Sequence, residues 1–173
     1  REAEAHFQAG NLDAAIASYQ QAISIDPQNG RLYAELARIL TYSTESQTTA
    51  REKEERFKQA YEAAQNAVEL APDDSTTYAV LAFTLDWYSG FTTYILSDSK
   101  TGNEFLADAE QAVTRATTLD ETNVLAQVYF AEIMIDVQRW DQAQSAISNA
   151  LERAPDLWEA HRVNGLFLEN QGY

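Results

Sequence analysis

His6 and His161 are the only two histidines in the 173-residue sequence, which contains no cysteine. They lie near opposite ends of the chain, and a metal needs ligands that converge on one centre, so no metal site is expected. Without cysteine there is no thiolate nucleophile and no disulfide. The run Asp98-Ser-Lys-Thr-Gly-Asn-Glu104 has a faint calcium-loop spacing, but Lys100 stands where a ligand oxygen is needed. No glycine-rich phosphate cradle, nucleophile elbow or HExxH helix is present. The carboxylates are many but scattered, and no two stand out as an acid–base couple. No catalytic residue and no cofactor is therefore expected, and the chain is not expected to be an enzyme.

The residues that remain suggest recognition. The formal net charge is −15, so the surface repels nucleic acid and anionic membrane and suits a basic partner. The most apolar run, Val128 to Val137, is interrupted by Glu132 and Asp136 and is far short of a membrane span. Between Thr76 and Trp87, Tyr78, Leu81, Ala82 and Leu85 make one apolar helical stripe. Val80, Phe83 and Trp87 make a second, at i, i+3 and i+7. A helix apolar on two faces is either buried on both or binds something.

Helices must position these residues. Proline is rare, at 3 positions, and alanine pairs recur seven apart: Ala15 and Ala22, Ala60 and Ala67, Ala109 and Ala116, Ala143 and Ala150. Seven residues are nearly two helical turns, so each pair faces one way and lets a neighbouring helix approach closely. Pro27, Pro72 and Pro155 follow at a constant offset, with Glu121 in the equivalent place of the third unit. A proline there stops the helix. After each terminator comes a further helical pattern: Tyr33, Leu36-Ala37 and Leu40; Tyr78, Leu81-Ala82 and Leu85; Gln127, Phe130-Ala131 and Met134; His161, Asn164-Gly165 and Leu168.

This joint pattern resembles the tetratricopeptide repeat family, whose signature is W-x2-L-G-x2-Y, then A-x3-F, then P. Tyr33 and Tyr78 take the tryptophan place; Ala37, Ala82, Ala131 and Gly165 take the glycine place. Tyr19, Ala64, Val113 and Ile147 take the aromatic place of the second helix. The resemblance implies an all-α, right-handed solenoid of stacked antiparallel helix pairs. The expected units are a partial one at 1–28, then 29–74, 75–123 and 124–157, and a partial one at 158–173. Polar Glu2 and His6 fall at core places of the first, and His161 and Asn164 at core places of the last. Both ends, one of them lacking an initiating methionine, read as cut from a longer array.

Two units are overlong, each with an insertion between its helices. The first spans 43–54, where Thr49-Ala-Arg-Glu52 reads as a capping box. The second, SGFTTYILSDSKTG at 89–102, is too apolar for an idle loop, and Asn103 or a neighbour is expected to cap the helix after it. Its Phe91 to Leu96 segment could also fold back into the concave side.

In the family the first helices line a concave groove that binds partner segments. The matching places here include Arg38, Tyr42, Val80, Phe83, Asp86, Trp87, Val128, Tyr129, Glu132 and Arg162. Phe83, Trp87 and Tyr129 are the expected anchors. The basic clamp with which family members hold chaperone tails is absent, since its places carry Ala34, Val80, Glu159 and Val163 beside Arg38. An apolar, aromatic and acidic groove implies a hydrophobic or basic protein or peptide partner, and no nucleic acid or membrane insertion. The expected function is a protein-interaction scaffold, monomeric or weakly dimeric. The alternatives are self-association through the terminal helices, or a regulatory repeat domain of a larger enzyme.

Overall fold

The computed structural model describes residues 2–172. Its helices are α1 (Glu2–Gln8), α2 (Leu12–Ile25), α3 (Gly30–Ser43), α4 (Ala50–Leu70), α5 (Ser75–Tyr94), α6 (Ser99–Leu119), α7 (Val124–Asp136), α8 (Trp140–Arg153) and α9 (Trp158–Asn170). Consecutive helices pair as antiparallel hairpins, and α3, α5, α7 and α9 also lie side by side as an inner layer. The result is an α-solenoid of stacked helix pairs, with α2, α4, α6 and α8 outside.

The alanine stripe holds each hairpin together. Seven of the eight paired alanines are fully buried; Ala22 is half-buried. With only a methyl between them, the backbones come close enough for dispersion contacts along the whole seam. Gly30 shows how close: a Cβ there would meet the Ala67 carbonyl oxygen at 2.8 Å and the Ala71 Cβ at 2.9 Å.

Short polar side chains start the helices. Asn11, Asp74, Asp98 and Asn123 each accept a hydrogen bond from a backbone amide in the first turn of α2, α5, α6 and α7. Thr49 and Glu52 complete a reciprocal capping box on α4, which satisfies amides that a helix start leaves orphaned. The cap of α6 is thus Asp98 and not Asn103, which lies inside the helix.

The two overlong regions are mostly helix. Residues 43–54 form a single 3-10 turn, Thr44–Ser46, and the first turn of α4. In 89–102, α5 runs on to Tyr94 and α6 begins at Ser99. The extensions carry their own small core, in which Phe57 stacks on Tyr88 at 5.1 Å and Tyr88 on Phe105 at 4.7 Å. Phe91 joins this cluster, whereas Tyr94, Ile95 and Leu96 are exposed. The segment therefore packs on α4 and leaves the concave side alone. Ser89 donates to the Gly102 carbonyl at 2.8 Å, tying α5 to α6.

At the ends, packing falls on neighbours of the expected core places. Ala3 is buried and Phe7 half-buried, while Glu2 is exposed. In α9, Glu159, Ala160 and Val163 are buried, and His161 is exposed. These are the faces that meet α2, α7 and α8.

Replacing Ala143, fully buried in the α7–α8 seam, by leucine should destabilise the fold by about 1–3 kcal/mol through overpacking. Thermal or urea unfolding reads this directly, and an unchanged curve would contradict the seam described.

Candidate functional site

The inner helices bring the ten expected groove residues to one region, but most are buried there. Arg38, Val80, Phe83, Asp86, Val128, Tyr129 and Glu132 are buried; Tyr42, Trp87 and Arg162 are half-buried. The concave side is filled by its own side chains.

An aromatic column forms the filling. Tyr129 of α7 stacks on Phe83 of α5 at 4.4 Å, and Phe83 meets Tyr42 of α3 at 4.9 Å. Trp87 closes on Tyr42 edge-on at 5.4 Å. On the other side Tyr42 meets Trp158 of α9 at 5.2 Å and Phe7 of α1 at 5.9 Å. Phe7 and Trp158 lie 6.2 Å apart, so the first and last helices meet. Offset and tilted pairs of this kind add about 0.5–1.5 kcal/mol each beyond their buried area. Phe7 and Trp158 lay outside the expected groove set.

A chain of alternating charges runs beside the column. Arg38 donates to Glu35 at 2.7 Å and to Glu159 at 2.8 Å, and Glu4 lies 3.7 Å away. Burial opposes the charge of Arg38, but Glu35, Tyr129 and Glu159 outweigh it and raise its pKa. One turn on, Arg162 grips Glu132 with two parallel bonds, at 2.7 and 2.5 Å. Such forked pairs add directionality to strength. Glu132 also accepts from the Trp87 indole at 3.0 Å, and the Arg162 guanidinium lies 5.6 Å from that ring's centre. Thr41 and Thr84 share a buried hydrogen bond at 3.0 Å between α3 and α5.

Three carboxyls of the inner side, Asp86, Asp136 and Glu159, are raised above their ordinary range, each chiefly by burial. Asp86, 4% exposed, is pushed well up by burial, then by the neighbouring charges of Asp136 and Glu132. Its Oδ1 has no hydrogen-bond partner. Glu159, 2% exposed, is also raised, chiefly by burial and against the pull of Arg38 and Arg162. One oxygen, Oε2, is unpartnered.

The concave side stays open at two places beside Trp158, which is 40% exposed. A cavity of about 510 Å³ lies between α1 and α3 on one side and α7 and α9 on the other, lined by Glu4, Glu35, Arg38, Asp156, Trp158 and Glu159 among others. An adjoining cavity of about 360 Å³ is lined by Phe7, Gln8, Gly10, Leu12, Tyr42 and Trp158. Among the described residues no group of three His, Asp or Glu could hold a metal ion, and no helix is long and apolar enough to cross a membrane.

The family model for the TPR repeat matches residues 3–40. No curated protein matches the chain. Among solved structures, a thermophilic TPR protein of Thermus thermophilus superposes with a TM-score of 0.71 at 16% identity, covering 99% of this chain and 78% of that one. The MamA protein gives a TM-score of 0.52 at 18% identity, covering 99% and 79%. The Naa15/Naa10 complex bound to HypK-THB gives 0.56 at 14% identity, covering 98% of this chain and 22% of that one.

Arg38→Met should cost about 3–5 kcal/mol, because it leaves Glu159 buried without its counter-charge. The deficit should shrink in acid, where Glu159 takes up a proton. Asp86→Asn should act oppositely. A raised folded-state pKa means that protonated Asp86 contributes stability fully below the ordinary aspartate range. That contribution is lost as pH rises through the raised value. The asparagine variant should therefore be more stable than the parent at neutral pH, by about 1–3 kcal/mol, and should lose less stability between acid and neutral. Melting temperatures across pH test both.

Proposed function

We propose that this chain, a tetratricopeptide-repeat solenoid by fold, serves as a protein-interaction scaffold whose partner segment reads the rim of the concave side. The fold is shared with TPR proteins over the whole chain, and a repeat scaffold acts through surfaces, with no bond made or broken. One observation carries the choice of surface. Trp158 stands 40% exposed at the mouth of the concave side, backed by Tyr42 and Phe7. An aromatic side chain held rigid yet open to solvent is the type of residue that anchors interfaces. Of the ten groove residues, Tyr42, Trp87 and Arg162 are the ones within a partner's reach. Phe83 and Tyr129 act from beneath, as the bed on which Tyr42 rests.

Self-association is the second reading, favoured by Trp158 and Leu168, each 40% exposed on α9. Sedimentation equilibrium over a wide concentration range separates it from a monomeric scaffold.

A photoreactive residue placed at Gln8 should capture a partner protein from the source lysate, whereas the same residue at Asn149, exposed on α8, should not. Capture from Asn149 alone would move the working surface to the outer helices.

A further inference from the structure

We propose that the cavity between α1, α3 and α9 receives a lysine or arginine side chain from a basic partner segment, with an apolar neighbour of that residue resting on Phe7, Tyr42 and Trp158. The proposal rests on the scaffold reading above and adds the partner's chemistry.

Charge is the first argument. Four carboxylates, Glu4, Glu35, Asp156 and Glu159, line the cavity with a single cation, Arg38. Arg38 is already committed to Glu35 and Glu159 and makes a longer ion pair with Glu4 at 3.7 Å, so its one charge is spread over three carboxylates, while exposed Asp156 lines the same cavity beyond them. The chain as a whole carries −15, which steers a basic segment toward any such mouth.

The second argument is the state of one carboxylate in that lining. Glu159 lines the cavity, is 2% exposed, and holds an oxygen with no donor. A buried acceptor left unmet is costly, and a cation seated in the cavity beside it would stabilise that carboxylate through space. Burial raises this carboxyl, so an incoming cation would also favour its ionised form.

Geometry supplies the third. Trp158 and Gln8 line both cavities, so the acidic hollow and the aromatic one adjoin across them. A chain lying over Trp158 would place successive side chains in unlike surroundings, one charged and one apolar. That arrangement selects a basic residue beside an apolar one.

The probe is a capped peptide, acetyl-Leu-Lys-Leu-Lys-amide, titrated into 15N-labelled protein. Controls carry glutamine or glutamate in place of lysine. The lysine peptide should shift the Trp158 indole and Gln8 amide signals, with an affinity that falls as salt is raised. The controls should leave them in place. The double variant Glu4→Gln, Asp156→Asn, at two residues outside the buried core, should weaken binding at least about tenfold. Trp158→Ala should weaken it while leaving helicity unchanged.

Equal binding of the glutamine peptide would overturn the proposal. So would unaltered affinity in the double variant, shifts confined to other surfaces, or no binding at all. A peptide-free dimer dissolved by Trp158→Ala would also overturn it, assigning the hollow to a second copy. Photocapture distinguishes the two levels. Partner capture at Gln8 that the lysine peptide does not compete away leaves the scaffold reading standing and removes the cationic one. Absence of capture from Gln8 removes the scaffold surface itself.

Discussion

Arg38 is the charge on which the inner side of the solenoid depends. It reaches Glu35 within its own helix, Glu159 on α9, and lies near Glu4 of α1. One guanidinium thus links the first, second and last units, across 121 residues of sequence in the case of Glu159. A buried arginine is tolerable only when its donors are met by acceptors, and here carboxylates meet them. Its neighbour Phe7 lies beneath it, 4.7 Å from ring centre to guanidinium carbon.

This linkage changes what kind of solenoid the chain is. Repeat arrays are ordinarily quasi-linear: each unit meets only its neighbours, and stability is close to a sum of local terms. The outer alanine seams obey that rule. The inner side does not, because Phe7, Tyr42 and Trp158 bring α1, α3 and α9 into one aromatic cluster. The concave side consequently divides into a filled centre and an open mouth. The filled centre holds Phe83, Tyr129 and Glu132, which set shape. The open mouth keeps the side chains that a partner could touch.

The helix pairs, their alanine seams and the capping box of α4 were legible because they depend on residues close in sequence. Alanines seven apart, a terminator beyond them and Thr49 with Glu52 are local signals whose physics is complete within two or three turns. The filling of the concave side was not legible for the opposite reason. Val80, Phe83 and Trp87 read correctly as a second apolar stripe, but whether such a stripe meets solvent is decided by the angles between helices summed over several units. The acceptor for Arg38 stands on α9, and nothing near Arg38 announces it. Residues 89–102 read as an insertion between two helices, yet α5 continues to Tyr94 because Phe57, Tyr88 and Phe105 provide packing that outweighs weak helix propensity.

Those three rings have a consequence of their own. Stacked beyond the edge of the array, they form a core that shares Trp87 with the main one. Opening the ledge exposes few of the alanine seams, and unfolding the solenoid need not begin there. Amide protons in the overhanging turns of α4, α5 and α6 should therefore exchange as a unit of their own, with an opening free energy below the global one. Trp87 stands at the boundary between the two, inside an unbroken helix and packed against both cores.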